Sequence, residues 1–216
     1  MRMRRKTNLI PRLEKCSHLL VTDPAGMCGR WLDKFSPYSE LHVELGCGKG
    51  RFTAETAKAG PEFFIAALEK SASVMVTAVE RADAIGLKNV RFLNGLADDL
   101  TDFFAPNEIS RIYINFCDPW PANRHARRRL TGRRFLELYK QALRPGGEIH
   151  FKTDNLPLFE FSLPEFESAG FLVSEVTRDL HENGPGGVMT DYEMKFHGQG
   201  VTIKRCVCRM PERPQL

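Results

Sequence analysis

Hydrophobic positions along this chain fall into two alternating kinds of segment. Short runs of apolar and β-branched residues at 41–45, 63–68, 90–93, 111–116 and 148–152 predict strands. Between them, apolar residues recur at helical spacing over 52–59, 71–85 (with Ser71 placed to cap) and 135–143. In the last of these Phe135, Leu138, Tyr139, Ala142 and Leu143 fall on one face, and Pro145-Gly146-Gly147 ends it. Strands alternating with helices predict an α/β protein with an open parallel sheet wound on both faces. After Phe151 the rhythm changes: a helix over 156–169, a strand over 172–177, a Gly/Pro loop at 182–187 and an apolar run at 201–207 predict a closing antiparallel hairpin. The first 38 or so residues, with Arg2, Arg4, Arg5 and Lys6, read as a basic arm or added helix on a single domain spanning 1–216.

Composition changes this picture little. Hydrophobic content of 42% and charged content of 27% are those of a globular protein, and 216 residues suffice for one full core. The apolar run 63–68 is too short to span a bilayer, and no stretch of signal-peptide length follows the basic N-terminus. A cytoplasmic protein without a membrane partner is expected, monomer or homodimer. The six cysteines form no CxxC pair, and Cys206 and Cys208 alternate like small hydrophobes on one strand face. The six histidines make no ligand spacing, so no metal is expected.

Charge is more informative in its distribution than in its total. The net charge is +4, yet residues 1–15 hold six Arg or Lys against one Glu, and 122–134 hold six Arg and no acid. The remainder is therefore acidic, and concentrated positive charge predicts a surface for a polyanion.

In an open α/β sheet, ligands bind beyond the carboxyl ends of the strands. The loop after the first strand reads Glu44-Leu45-Gly46-Cys47-Gly48-Lys49-Gly50. A dinucleotide site has a third glycine at the sixth position, where this chain has Arg51, and a carboxylate two residues before Gly46 repels pyrophosphate. That carboxylate suits the sulfonium or ammonium of S-adenosyl-L-methionine. Glu69, closing the second strand, can accept hydrogen bonds from both ribose hydroxyls. Past the third strand, Asn94 or Asp98 can frame an adenine, or cap the following helix.

The loop after the fourth strand reads Asn115-Phe116-Cys117-Asp118-Pro119-Trp120-Pro121, with Asp118 beside the expected methyl donor. Asp-Pro is also a turn starter, and Trp120 suits either a core or a stacking surface. Arg124, Arg127 and Arg128 share i, i+3, i+4 spacing, which a short helix turns into one phosphate-binding face.

Four segments carry a family resemblance: 42–50; 115–130 with its Asp-Pro-Trp-Pro and the following Arg-His-x-x-Arg-Arg-Leu; Ile149-His150-Phe151-Lys152-Thr153-Asp154-Asn155; and Thr190-Asp191-Tyr192-Glu193-x-Lys195-Phe196. In this order, over about residues 1–208, they resemble the bacterial tRNA (guanine-N7-)-methyltransferase family. The resemblance implies the Rossmann-like fold of S-adenosylmethionine-dependent methyltransferases, a mostly parallel seven-stranded sheet with one reversed strand. It implies methylation of a guanosine in the tRNA variable loop. It assigns Glu44, Glu69 and Asp118 to the cofactor, Asp118 also to catalysis, and Arg124, Arg127, Arg128, Arg129, Asp154, Thr190, Asp191, Tyr192 and Glu193 to the substrate; the strand-end reading adds Gly46, Gly48 and Asn94 to the cofactor set. Asp154 reads alternatively as a helix cap, and Glu193 as a solvated loop acid. Two positions depart from the family pattern: Leu96, where an acid is usual, and Ala122, where Lys is usual. Guanine N7 needs no base and no covalent intermediate, so Cys117 is read as structural. The Gly184-containing loop is expected to be mobile until RNA orders it.

Overall fold

A computed structural model describes residues 7–212. Strands β1 (Leu20–Val21), β2 (Glu40–Leu45), β3 (Phe63–Glu69), β4 (Val90–Asn94), β5 (Ile109–Asn115), β6 (Leu143–Thr153), β7 (Leu172–Thr177) and β8 (Lys204–Arg209) form one sheet in the order β1-β4-β3-β2-β5-β6-β8-β7. Among the described residues only β8 runs against its neighbours, pairing antiparallel with β6 and β7. Helices are α1 (Leu9–Lys15), α2 (Trp31–Lys34), α3 (Arg51–Ala59), α4 (Ala72–Ala84), α5 (Leu100–Phe103), α6 (Arg133–Ala142), α7 (Leu156–Ser168) and α8 (Asp191–His197).

Period-two alternation divides the core. On β3, Ile65 and Ala67 face Met75, Ala78, Val79 and Ala82 of α4, with Ala57 of α3 and Cys16 after α1 in the same cluster. Phe64, Ala66 and Leu68 face the other way, into the layer built from Trp31, Leu100, Phe135, Leu136, Tyr139, Leu158, Phe159 and Phe166. Both faces of the parallel strands are thus covered, which is why their sequences read as continuous apolar runs rather than as alternations.

The expected strand count of seven is corrected to eight among the described residues. The extra strand, β1, is two residues long and pairs Leu20 with Phe92 and Val21 with Leu93. No pattern reader finds a two-residue strand, because period two needs at least four residues to register. The segment expected to be a basic arm or an added helix carries a helix, α1, and packs on the body from there onward: Arg12 pairs with Glu80 of α4, and Cys16, Leu19, Met27 and Trp31 are all buried. The arginines and lysine expected at 2, 4, 5 and 6 lie outside the described residues. Strand β6 begins at Leu143, directly after α6, so Pro145-Gly146-Gly147 falls inside an irregular strand with a register shift opposite Ile109 and Arg111.

Strands β2, β3, β4 and β5 all end at one edge of the molecule, and the switch of strand order between β2 and β5 opens the crevice there.

Candidate active site

The loop from Gly46 to Gly50 leaves β2 with glycines in the left-handed region and enters α3. Gly50 has φ +74°, and a Cβ there would stand 2.4 Å from the Cβ of Ala78, so α3 and α4 meet too closely for any side chain. Nothing lies within 4 Å of the corresponding point at Gly46, where φ of +78° alone favours glycine.

Glu44 is only 2% exposed. The Thr53 hydroxyl donates to it at 2.5 Å, and the Asn115 amide reaches it at the long distance of 3.5 Å. Burial pushes its carboxyl up to about 7; those two hydrogen bonds oppose the rise and the neighbouring Glu69 carboxylate adds to it. Glu69 is held by N–H groups on both sides, Gly48 at 3.2 Å and Ser71 at 2.9 Å, which aims it across the mouth of the glycine loop.

Two clefts flank this loop. The larger, of about 580 Å³, runs from Gly46 and Glu69 past Gly95, Leu96 and Asp98 to Asp118 and Trp120. The smaller, of about 380 Å³, lies over Glu44 and the glycines and is roofed by Thr190, Asp191, Tyr192 and Lys195. Gly46, Asn115 and Phe116 line both.

At the far end of the larger cleft, the two candidates for framing a base behave differently. The Asn94 amide donates to the Glu69 carbonyl at 2.8 Å and does not line the cleft. Asp98 does line it and pairs with Arg134. Neither caps the helix that follows: Asp99 accepts the N–H of Leu96 at 2.8 Å and fills that role.

The loop after β5 is held in an unusual shape. Phe116 and Trp120 both adopt positive φ, 54° and 43°, on either side of Asp118. Such a backbone persists only where the surroundings over-determine it, and Arg129 does so. Its guanidinium is buried and donates to the carbonyls of Pro119 (3.2 Å), Trp120 (3.1 and 3.3 Å) and Pro121 (3.5 Å). Asp118 itself is two-thirds exposed, with Lys70 3.7 Å away, a separation and exposure that leave it free to change partners. Burial pushes the Cys117 thiol up to about 12.

Trp120 lines the cleft rather than the core, with the Arg128 guanidinium 4.8 Å over its ring and His125 edge-on. The arginine stretch forms a 3-10 helix, Asn123–Arg128, whose three residues per turn align Arg124 with Arg127 and turn Arg128 aside, so the single face expected for all three is not formed. Arg124, Arg127 and Arg128 stand exposed, and Arg129 turns inward.

The chain beyond β7 returns to the same crevice. Thr190 caps α8 in a reciprocal box with Glu193. Asp191 pairs with Arg81 at 3.0 Å, and the Tyr192 hydroxyl donates to Asp154 at 3.0 Å. Asp154 is not a helix cap, since Asn155 takes that place on α7. Glu193 is not a solvated loop acid, since it is fully buried against Lys152 and His181.

A putative-methyltransferase family model matches residues 39–206. The tRNA (guanine-N(7)-)-methyltransferase of Geobacillus kaustophilus (strain HTA426) is 44% identical over 214 residues, 99% of each chain. The enzyme so named from Geobacillus sp. (strain WCH70) is 44% identical over 216 residues, 100% of this chain and 98% of its own. This chain belongs to the tRNA (guanine-N(7)-)-methyltransferase family. Among solved structures, the 16S rRNA methyltransferase KamB covers 84% of this chain and 92% of its own, with a TM-score of 0.63 at 16% identity. An S-adenosylmethionine-dependent methyltransferase from Aquifex aeolicus covers 91% and 97%, with a TM-score of 0.56 at 16% identity. Those two show the fold.

Within this family member, the crevice brings together Glu44, Gly46, Gly48, Glu69, Asp118, Arg128 and the Thr190–Tyr192 turn. It leaves Asn94, Arg129 and Glu193 engaged with their own chain, each by a hydrogen bond that a sequence does not display. Residues that the pattern did not single out are Thr53, Arg81, Lys152 and His181. Lys152 alone left a signal, as a lysine inside an apolar strand.

Proposed function

We propose that this protein transfers a methyl group from S-adenosyl-L-methionine to N7 of a guanosine in the variable loop of tRNA. The observation that carries the reading is one crevice holding Glu44, Glu69 and Asp118 beside exposed arginines, in a chain similar over its whole length to proteins named for that reaction.

The residues present fit the cofactor. Glu44 is a buried carboxylate with two hydrogen bonds, one of them long, and a cation at the mouth of its pocket would relieve the cost of its charge. Glu69 retains unused lone pairs for ribose hydroxyls, and Asp98 is the carboxylate available at the adenine end, in place of the acid that Leu96 lacks. When bound, S-adenosyl-L-methionine supplies an electrophilic methyl group on a sulfonium centre. The protein's task is placement, because guanine N7 carries its lone pair at neutral pH. Asp118 accepts hydrogen bonds from the N1–H and amino group of guanine and offsets the positive charge the purine acquires. Cys117, protonated well past neutrality, takes no nucleophilic part. Arg124 and Arg127 hold backbone phosphates.

Unmodified tRNA incubated with labelled cofactor, then treated with aniline, should break at one guanosine in the variable loop. Label without that scission, or at another base, would refute the assignment. Asp118→Ala should lower kcat by about a hundredfold or more, roughly 3 kcal/mol, with S-adenosylhomocysteine affinity changed by only a few fold. Near-normal turnover in that variant would remove Asp118 from the reaction.

A further inference from the structure

Every residue of the Thr190–Glu193 turn has a partner within the chain, and the deepest of these contacts is the most unusual. Glu193 has no exposed surface, and two separate elements, β6 and the loop after β7, converge on it. Lys152, near the end of β6, places its ammonium 3.3 Å from both carboxylate oxygens. His181 approaches Oε1 through Nε2 at 2.9 Å. The Nδ1 of the same ring accepts the N–H of Gly186 at 3.0 Å, so Nε2 bears the hydrogen and donates to Glu193. Lys152 also donates to the Val188 carbonyl at 2.9 Å. One buried cation and one buried anion thereby gather the Gly/Pro loop, the approach to α8 and α8 itself.

The backbone of Lys152 performs a second task. Its carbonyl accepts the N–H of Phe116 at 2.9 Å, at the first left-handed residue of the Asp118 loop. A single residue thus fixes the start of the Asp118 loop through its main chain and the roof of the smaller cleft through its side chain. Burial of a charge pair costs desolvation, and its best-attested use is to specify one arrangement among several.

We propose that Lys152, Glu193 and His181 form a buried pin that sets the Thr190–Tyr192 turn in register with the Asp118 loop. Glu193 is then a positioning residue, acting on the acceptor through α8 and the loop before it. This differs from the substrate contact that the family resemblance assigns to it, and it rests on the methyl-transfer reading above.

The test compares Glu193→Gln, Lys152→Met and the double variant Lys152→Met/Glu193→Leu with the wild type. Each is measured for S-adenosylhomocysteine affinity by calorimetry, for kcat and KM with tRNA, and for amide hydrogen exchange over 181–197. Glu193→Gln should raise the KM for tRNA about tenfold, accelerate exchange over 188–197, and leave S-adenosylhomocysteine affinity within about threefold. The double variant, with neither charge left unpaired, should recover about tenfold in kcat/KM over the worse single variant. A direct substrate contact gives the opposite pattern. Activity would then fall in Glu193→Gln with wild-type exchange, and the double variant would be no better than the worse single; either result overturns the pin. Should the double variant not fold, the exchange of Glu193→Gln decides alone. A wild-type protein that methylates no tRNA overturns the methyl-transfer reading and the stated role of the pin together. It is told from failure of the pin by itself, in which the wild type is active.

Discussion

Glu44 shows how one buried charge can tie a cofactor to pH. Its carboxyl sits at about 7 in the folded protein because burial disfavours the ionised form, against an ordinary value of 4.5. A folded value above the unfolded one means that the fold prefers the protonated acid. The ligand-free protein should therefore lose stability as pH rises from about 4.5 to 7, with a full cost on the order of 3 kcal/mol above that. A bound ammonium group reverses the preference, so cofactor binding needs Glu44 ionised. Affinity for S-adenosylhomocysteine should climb with pH up to about 7 and level off beyond it, with a proton released on binding below that point. Calorimetry in buffers of different ionisation enthalpy reads both quantities. A flat affinity, or the same pH profile in Glu44→Gln, would show that this carboxylate does not face the cofactor's charge.

At the scale of elements, the glycine loop joins packing to chemistry. Gly50 lets α3 lie directly on α4, and it does so in a left-handed conformation. Gly50→Ala should therefore destabilise by roughly 2 to 5 kcal/mol, combining the left-handed penalty with forced separation of the helices. Because Glu44 and Glu69 flank that junction, S-adenosylhomocysteine affinity should fall with the melting temperature; wild-type stability in Gly50→Ala would exclude so tight a packing. The elements that build this part of the crevice were legible in the chain, since buried parallel strands and amphipathic helices leave strong periodic marks. The glycine loop and Asp118 were legible too, because their spacing follows from where strands end. What escaped was set by tertiary partners. Helix α8 spans seven residues and is stabilised by its capping box and by Glu193, neither of which has a period. Arg129 read as one more cation beside Arg128, and only the fold shows it holding the carbonyls of Pro119 and Trp120. Asn94 read as a ligand because it stands at a strand end, while its amide is committed to β3.

Across the whole molecule, the structure sorts the basic stretch that suggested a polyanion. Of its six arginines, Arg129 is internal, Arg133 pairs with Glu137, and Arg134 pairs with Asp98. Arg124, Arg127 and Arg128 remain exposed on the 3-10 helix, and Arg128 lies over Trp120 at the cleft. If RNA backbone runs across this helix, each phosphate neutralised by an arginine releases counterions. The slope of log Kobs against log salt then falls by about 0.7 to 0.9 for every arginine–phosphate pair removed. The double variant Arg124→Gln/Arg127→Gln should accordingly reduce the slope for tRNA binding by about 1.4 to 1.8 and weaken binding at every salt concentration tested. Arg133→Gln should leave the slope unchanged, because its charge is already matched by Glu137. S-adenosylhomocysteine affinity should not move in either variant, since neither Arg124, Arg127 nor Arg133 lines the clefts. Equal slopes in the double variant and the wild type would mean that tRNA approaches the crevice from another side. In that event the remaining basic segment, 1–15, becomes the place to look, and removal of residues 1–6 should produce the decrease in slope that the arginine substitutions did not.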